Sequence, residues 1–347
     1  MTNSLENNFP GATLVVSCRN EEKFIGKCLD SVIGQDYSKD NLEVLVVDGM
    51  SEDSTREIVG EYCKKYPFIK LLDNPERFTP FAMNIGIKNA KGDFIIFMGA
   101  HADYVKDYVS RCVAAMEKTG ADNVGGILTA KPAINSLKAR AIALCLGSPF
   151  GAGGSFRFQS KRLIETDTVF GGCYRREVFD KIGLFDERMI RSQDMELNMR
   201  LKKAGGKIMM FPDIAVNYYP KSNFRDFFIH NFWDGFWAVW PLKFIKMPLK
   251  ARHYAPLFFV LLLAGMLILG TMYSEFLAAF FAILAAYAVA SLLFAAKIAI
   301  KEKNAAIFFL TPFAFATRHF GYGLGSFWGI ISLIMPQKNG GKNQKRN

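Results

Sequence analysis

The sequence lacks the features that mark a secreted or disulfide-stapled protein. Its start, MTNSLENNFPGA, is polar and has no apolar core of a signal peptide, which predicts that the first domain stays in the cytoplasm. No CxxC pair occurs, so neither a zinc framework nor a disulfide scaffold is indicated. The six cysteines are expected to be buried thiols in a reducing compartment. They stand at positions 18, 28, 63, 112, 145 and 173.

Charge is also missing from two long stretches near the C-terminus, Tyr254–Ser274 and Phe276–Ala296. Each has about 20 residues, enough for one membrane-spanning helix. Basic residues lie at both outer ends but not between the stretches, which predicts a hairpin with both ends in the cytoplasm. A third apolar segment, Ala305–Met335, is interrupted by Pro312 and by Arg318-His319. A broken or re-entrant segment is expected there, with a plain third span as the alternative.

The chain is basic, with a formal net charge of +11, and both nucleic acid and an anionic membrane suit such a chain. The basic clusters KFIKMPLKARH, KIAIKEKN and QKNGGKNQKRN flank the apolar runs, which favours a membrane and argues against nucleic acid. The last cluster predicts a cytoplasmic tail over residues 337–347. Residues 221–253 are crowded with Phe and Trp and predict an interfacial element, with a buried core helix as the alternative.

The first 220 residues alternate strand and helix patterns. The apolar runs ATLVVS, LEVLVVD, FIKLL, DFIIFM and NVGGILTA read as strands, and amphipathic segments separate the first four from one another and from the fifth. This predicts an α/β domain with a mostly parallel central sheet covered on both faces. Ligands of such sheets bind at the carboxyl ends of the strands. The segment GSPFGAGGSFRF, residues 147–158, predicts a mobile active-site loop, with a linker as the alternative.

Several candidate residues follow these strands. Asp48 ends the second strand, where it could bind a base or ribose edge or only cap the next helix. Arg77 precedes the third helix, where it could face a diphosphate or remain a solvated surface residue. In FMGAHADY, Gly99 stands where a metal-site carboxylate is common, with His101 and Asp103 close behind.

A second group of candidates lies between residues 168 and 206. Gly171-Gly172 would let a substrate approach the backbone closely. Asp194 and Glu196 stand at the start of an amphipathic helix, where acidic residues often only complement the helix dipole. Asp194 is also placed where a general base could stand.

Five sequence motifs, taken together and in order, are more specific than any one of them. In order, VVSCRNEE, VVDGMSEDST, AMNIGIKNAKGDFIIFMGAHAD, FGGCYRREVFDKIGLFDE and SQDMELNMRLKKAGGKI resemble glycosyltransferase family 2, which has a GT-A fold. The likeness covers most of residues 12–220 and is greatest to the membrane-anchored subgroup of succinoglycan-type exopolysaccharide transferases.

The resemblance implies roles for particular residues. Asp194 matches the catalytic base, although Gln193 replaces the acid that precedes it in the family. Gly99 replaces the first acid of the family's D-x-D metal motif, so the metal site is expected to be changed rather than absent. The expected nucleotide-binding residues are Ser17, Arg19, Asn20, Glu21, Asp48, Arg77 and Asn84. The expected acceptor-side residues are Gly171, Gly172 and Tyr174, and the expected metal ligands are His101 and Asp103.

The implied reaction is inverting, non-processive transfer from a nucleotide-sugar, expected to be a UDP-sugar, to a hydroxyl of a lipid-linked saccharide. Mn²⁺ or Mg²⁺ is the expected cofactor. The expected location is the cell membrane, multi-pass, with the catalytic domain in the cytoplasm and other glycan-assembly proteins as further partners. Two alternatives stay open: a polyprenyl-phosphate glycosyltransferase, and a non-catalytic nucleotide-sugar-binding membrane protein.

Overall fold

The computed structural model of the chain describes residues 10–100, 102–152, 162–244 and 251–335. The chain divides into two compact units. An α/β unit comprises Met1–Asn135 and Ala143–Pro220, and a helical unit comprises Ser136–Ile142 and Lys221–Asn347.

One sheet forms the centre of the α/β unit. Its strands follow the order β3-β2-β1-β4-β8-β6-β9-β5, with β7 paired to β9. The first four strands in this order are parallel, whereas β8 runs antiparallel to both of its neighbours. The predicted α/β class is confirmed, and β5, β7, β8 and β9 are strands that the sequence patterns did not predict. The strands of the described residues are β1 (Ala12–Cys18), β2 (Leu42–Asp48), β3 (Ile69–Asp73), β4 (Phe94–Gly99), β5 (Ala102–Tyr104), β6 (Asn123–Ala130), β7 (Ile164–Glu165), β8 (Phe170–Arg175) and β9 (Ile208–Tyr218).

Helices connect and cover these strands. The α-helices of the described residues are α1 (Ile25–Ile33), α2 (Thr55–Lys65), α3 (Thr79–Asn89), α4 (Tyr108–Thr119), α5 (Leu137–Leu146), α6 (Pro149–Ala152), α7 (Arg176–Ile182), α8 (Gln193–Lys203), α9 (Phe224–Val239), α10 (Ala255–Gly270), α11 (Ser274–Glu302) and α12 (Ala305–Ile334). Helix α6 occupies part of the segment predicted as a mobile loop, and residues 153–158 of that segment lie outside the described residues.

Alternation along the strands builds two cores. In β1, Leu14 and Val16 point to one face and pack with α1, α2 and α4, whereas Val15 points to the other and packs with α3, α7 and α8. Because side chains alternate along a strand, an apolar run that is buried on both sides requires helices on both faces. The expected two-faced sheet is thus present.

A glycine seam joins two helices of the helical unit. Helix α12 carries Gly321, Gly325 and Gly329 at spacings of four, and a Cβ at any of them would press on the backbone of α9. At Gly325 that Cβ would overlap the carbonyl oxygen of Phe232. Small residues at this spacing let two helices approach closely. The aromatic segment that begins at residue 221 therefore contains a helix, α9, that packs on α12 along one side.

By length and composition, α11 is the one helix of the described residues that could cross a membrane. Helix α10 is apolar but has 16 residues. The prediction of a broken or re-entrant segment over Ala305–Met335 is corrected by the structure. Helix α12 runs without a break through Pro312 and Arg318. A proline inside a helix removes one backbone hydrogen bond but ends the helix only when packing does not hold it.

Candidate active site

The parallel strands end in register at one edge of the sheet. Asp48 of β2 lies opposite Cys18 of β1 and Asp73 of β3. Ser17 lies opposite Gly99, the last residue of β4. Ligands of open α/β sheets bind at this edge. Backbone pairing therefore brings together three residues that the sequence predicted.

Asp48 is fully buried at this edge, and its carboxylate is bonded within the chain. The backbone N–H of Ser51 donates to Oδ2 at 2.9 Å, and Arg56 pairs with the same oxygen at 2.7 Å. The Ser51 hydroxyl and, at 3.8 Å, the Cys18 thiol donate to Oδ1. A carboxylate accepts about four hydrogen bonds. A contact between Asp48 and a nucleotide base would thus displace Ser51 or the weakly donating thiol.

Cys18 supports the same carboxylate as a neutral thiol. Burial raises its pKa well above the ordinary value, and the negative charge of Asp48 raises it further. A protonated thiol can donate to Asp48, whereas a thiolate would repel it.

The loops after β1 and β2 are tied together. The Asn20 N–H donates to the Ser51 hydroxyl at 2.9 Å, and the Glu52 N–H donates to Asn20 Oδ1 at 2.9 Å. The Glu21 N–H donates to Thr55 Oγ1 at 2.7 Å. Asn20 and Glu21, both predicted to bind nucleotide, therefore help to fix the shape of the first loop.

Left-handed backbone is concentrated in these loops. Asn20, Met50 and Arg77 have φ of 53°, 56° and 66°, and they follow β1, β2 and β3 respectively. Ser192, with φ of 58°, precedes α8. Residues with side chains adopt such angles only where the surroundings impose them, and ligand sites are the usual places. Sequence patterns did not reveal this strain, because φ is not readable from residue type.

Two arginines meet beside Gly49. A Cβ at Gly49 would lie 3.2 Å from Arg19 Cβ and 3.3 Å from the Arg77 carbonyl oxygen. Arg77 is about half exposed and lies 3.4 Å from Glu52 Oε1. The Arg19 side chain and the Arg77 backbone, which come from different loops, thus both lie beside Gly49 at the sheet edge.

Helix α8 presents Asp194 in its first turn. The Ser192 carbonyl accepts hydrogen bonds from the N–H groups of Met195 and Glu196, and Asp194 is partly exposed. Glu196, by contrast, is buried and forms a two-bond pair with Arg200 at 2.5 and 2.7 Å. Of these two acidic residues, Glu196 serves the fold and Asp194 remains the candidate for chemistry.

Comparison with known proteins identifies the family. Over 222 residues the chain is 33% identical to a dolichyl N-acetyl-alpha-D-glucosaminyl phosphate 3-beta-D-2,3-diacetamido-2,3-dideoxy-beta-D-glucuronosyltransferase of Methanococcus voltae, covering 62% of this chain and 68% of that one. Over 224 residues it is 30% identical to succinoglycan biosynthesis protein ExoA of Rhizobium meliloti, covering 64% and 67%. The family model for glycosyl transferase family 2 matches residues 13–183. The chain belongs to glycosyltransferase family 2.

A solved structure shows the same fold as this glycosyltransferase. A mannosyltransferase from Pyrobaculum calidifontis, solved in complex with GDP-Man and Mn²⁺, superposes with a TM-score of 0.60 at 20% identity, covering 93% of this chain and 88% of that one. The α/β unit thus has the GT-A-like fold expected from the resemblance.

The nucleotide-binding role predicted for Asn84 does not fit the glycosyltransferase structure. Asn84 is buried in α3, where its Oδ1 accepts the Phe185 N–H at 2.9 Å. Its Nδ2 donates to the Phe185 carbonyl and to Glu187 Oε1, both at 3.0 Å. Asn84 is therefore a positioning residue that holds the segment between α7 and α8, because both ends of its amide are bonded to that segment.

The two glycines predicted on the acceptor side make room for the chain itself. A Cβ at Gly172 would lie 2.5 Å from Asn123 Oδ1, and a Cβ at Gly171 would lie 3.0 Å from the Phe97 carbonyl oxygen. Gly171 also has φ of 57°, which a side chain would strain. Neighbouring strands and side chains therefore approach these glycines closely, and the acceptor-side role of Gly171 and Gly172 stays a prediction.

Tyr174, also predicted on the acceptor side, is a core residue. Its ring is buried against Phe97 and Phe179, and its hydroxyl donates to Asn198 Oδ1 at 2.9 Å. Asn123 donates to the same oxygen at 2.9 Å. This buried polar cluster joins β6 and β8 to α8, and it thereby fixes the helix that carries Asp194.

The predicted metal ligands are described only in part. His101 lies outside the described residues, and the structure describes only the backbone of Asp103. The described residues contain no group of three or more His, Cys, Asp or Glu side chains that could hold a metal ion. Among the described residues, an added Cβ at Gly99 would meet only the Phe170 ring, at 4.0 Å, so the first atom of a side chain has room there.

Proposed function

We propose that the chain is an inverting glycosyltransferase that moves one sugar per encounter from a nucleotide-sugar to a hydroxyl of a lipid-linked saccharide. The observation that supports the proposal most directly is the partial exposure of the Asp194 carboxylate. Asp194 is a partly exposed carboxylate in the first turn of α8, whereas Glu196 in the same turn is buried and paired with Arg200. A base must reach substrate, whereas its supports must not move.

The reaction needs one base and one leaving group. Asp194 accepts the proton of the acceptor hydroxyl while that oxygen forms a bond to the anomeric carbon. The bond between this carbon and the diphosphate oxygen breaks on the opposite face, and the nucleoside diphosphate leaves with the electron pair. Attack and departure on opposite faces invert the anomeric centre, so a single carboxylate suffices.

Two arginines and a divalent cation would balance the negative charge of the leaving diphosphate. Arg19 approaches Gly49 with its side chain and Arg77 with its backbone carbonyl, and the guanidinium group of an arginine suits a diphosphate. His101 and Asp103 together offer the mixed nitrogen and oxygen donors that suit Mn²⁺, and would hold that ion. A divalent cation bound there would neutralise part of the departing charge.

Two observations support a lipid-linked acceptor. The Methanococcus voltae relative is named for transfer to a dolichyl-phosphate-linked N-acetylglucosamine. In the helical unit, large apolar side chains of α10 and α11 are exposed, including Phe258, Ile268, Phe281 and Leu293. Exposed apolar surface of this extent fits a membrane, and a membrane-bound enzyme can meet an acceptor held in the same bilayer.

A donor panel tests the activity. Membranes containing the protein receive labelled UDP-sugars and GDP-sugars with Mn²⁺, Mg²⁺ or a chelator, and label is counted in the lipid extract. Label from one donor that depends on a cation is expected. Absence of label from every donor in the presence of native lipid acceptors would contradict the proposal.

The variant Asp194→Asn tests the mechanism. It should lower kcat by about 10²- to 10⁴-fold, because it removes the base, and leave nucleotide binding nearly unchanged. Asp180→Asn is the matched control, since Asp180 is an exposed carboxylate on α7. If Asp194→Asn transfers sugar as the control does, Asp194 is not the base, and a phosphate acceptor that needs no base becomes the better assignment.

A further inference from the structure

Helix α8 carries Asp194 in its first turn and Asn198 one turn later. Side chains four residues apart lie on the same face of a helix, one above the other. This face of α8 is partly exposed at Asp194 and fully buried at Asn198. The proposed base therefore lies at the open end of a face whose next turn is enclosed by the fold.

Asn198 is a polar anchor that joins α8 to the sheet. Its Oδ1 accepts hydrogen bonds from Asn123 of β6 and from the Tyr174 hydroxyl of β8, both at 2.9 Å. Its Nδ2 donates to the Thr168 hydroxyl, just before β8, at 3.0 Å. All three partners are buried as well. Buried hydrogen bonds of this kind hold one geometry, so Asn198 fixes α8 relative to two neighbouring strands.

The start of α8 has weak support of its own. In the part of the chain that the structure describes, Ser192 precedes the helix with φ of 58°, and its side chain makes no capping hydrogen bond. A capping side chain normally holds the first N–H groups of a helix. The amide of Gln193 lies 4.0 Å from Met83 Sδ, and sulfur is a weak acceptor. The position of the first turn therefore depends on how the rest of α8 is held.

The other polar anchor of α8 lies on a different side of the helix. Glu196 pairs with Arg200, and Arg200 also donates to the Leu184 carbonyl, after α7, at 2.7 Å. Glu196 is two residues from Asp194, which is about 200° around the helix axis. This anchor holds α8 against the end of α7, whereas Asn198 holds the face that carries Asp194.

We propose that Asn198 is a positioning residue for Asp194, because its hydrogen bonds to the sheet set where the carboxylate meets the acceptor hydroxyl. This inference rests on the proposed function, since it needs Asp194 to be the base. Asn198 is buried and acts through Asp194, without touching the substrate. A displacement of about 1 Å at a reacting group can cost about 10²-fold in rate, so a lost anchor should be visible in kcat.

The test compares Asn198→Leu in two backgrounds of the full-length protein in membranes, with the labelled donor that the panel identifies. Leucine has the branching of asparagine but neither donates nor accepts a hydrogen bond. In the wild-type background kcat should fall by about 10- to 100-fold, with the KM for the donor and the Kd for the nucleoside diphosphate unchanged. In the Asp194→Asn background the same substitution should lower the residual kcat by less than about twofold, since a positioning residue has no effect once the group it positions is gone.

Two milder variants guard against a folding defect in Asn198→Leu. Tyr174→Phe and Thr168→Val each remove one hydrogen bond of Asn198 and keep nearly the same shape. Each should lower kcat by less than Asn198→Leu does, and again only where Asp194 is present.

Val113→Ala is the matched structural control. Val113 is buried on α4, in the core on the other face of the sheet. The variant should lower the denaturation midpoint, and its kcat relative to the parent should be the same in both backgrounds.

Two outcomes would overturn the assignment. One is an undiminished kcat in an Asn198→Leu protein whose denaturation curve shows it to be folded. The other is an equal fold-decrease in kcat in both backgrounds, which would mean that Asn198 supports the fold in general. Failure of the proposed base is recognised separately, because Asp194→Asn by itself would then leave kcat unchanged, and the inference would fall with it.

Discussion

The α/β unit and the helical unit treat charge differently. At the sheet edge Arg56 bridges Asp48 and Asp73, and in α8 Glu196 pairs with Arg200. In the helical unit Arg318 donates to the neutral side-chain amide oxygen of Asn231 at 3.0 Å. The named pairs of the first unit join oppositely charged side chains at the sheet edge and within α8, whereas Arg318 of the second unit is bonded to a neutral amide.

Glycine also has different roles in the α/β unit and the helical unit. In the α/β unit Gly171 has positive φ, and Gly172 makes room for Asn123. In the helical unit Gly321 and Gly325 leave φ helical and instead remove a side chain between two helices. The first use lets neighbouring strands and side chains pack closely around β8, and the second lets α9 and α12 pack closely, so substitutions in the two places should have different effects.

The largest effect is expected at the glycine seam. Gly325→Leu would force a side chain into the Phe232 backbone, which cannot move as a flexible side chain can. We expect a loss of about 3 kcal/mol in the free energy of unfolding, seen as a lower thermal midpoint in detergent. Gly265→Leu in α10 is the control, because a Cβ there meets nothing within 4 Å. If Gly325→Leu and Gly265→Leu lower the free energy of unfolding equally, close packing at the glycine seam is not what makes Gly325 necessary.

A smaller loss is expected at the sheet edge. Arg56→Met leaves Asp48 buried without its cation, and because Arg56 is 35% exposed we expect about 2 kcal/mol rather than the full cost of a broken buried pair. Nucleotide affinity should fall with it, since the second loop loses its support. Lys64→Met is the control, as its pair with Glu61 is exposed. Chemical denaturation and nucleotide titration measure both effects; an unchanged denaturation midpoint would show that the bridge is dispensable.

Tyr174→Phe separates a core role from an acceptor role. The variant loses the hydrogen bond to Asn198, which still accepts from Asn123, so we expect about 1 kcal/mol of destabilisation. The KM for the acceptor should not change. Tyr219→Phe, at a surface bond to Lys27, should change stability less. A raised KM for the acceptor in Tyr174→Phe would show that Tyr174 takes part in acceptor binding.

The smallest effect is expected at Gly99→Asp. The space around Gly99 admits a side chain, so stability should stay within about 0.5 kcal/mol. The new carboxylate should raise Mn²⁺ affinity about threefold, which is less than 1 kcal/mol. Gly60→Asp, in open space on α2, is the control. A Mn²⁺ titration that shows no difference between the two variants would mean that residue 99 is not part of a metal site.

Much of the sheet could be predicted because its signal is local. The runs that became β1, β2, β4 and β6 are apolar on both alternating faces, which few other structures tolerate. Strand β8 escaped prediction because FGGCYR has two glycines and gains its place only by pairing with β4 and β6. The side chains at the sheet edge were foreseen by position, since every parallel strand ends there.

The sequence by itself determined the fold class, the family and the residues that follow each strand, because hydrophobic period and motif order are properties of the chain. Only the tertiary structure decided that Asn84 and Tyr174 serve the core, and that Asp48 is bonded into its own loop. The physical reason is that the role of a polar side chain depends on the hydrogen-bond partners that the fold places beside it, and for Asn84 and Tyr174 those partners are distant in sequence.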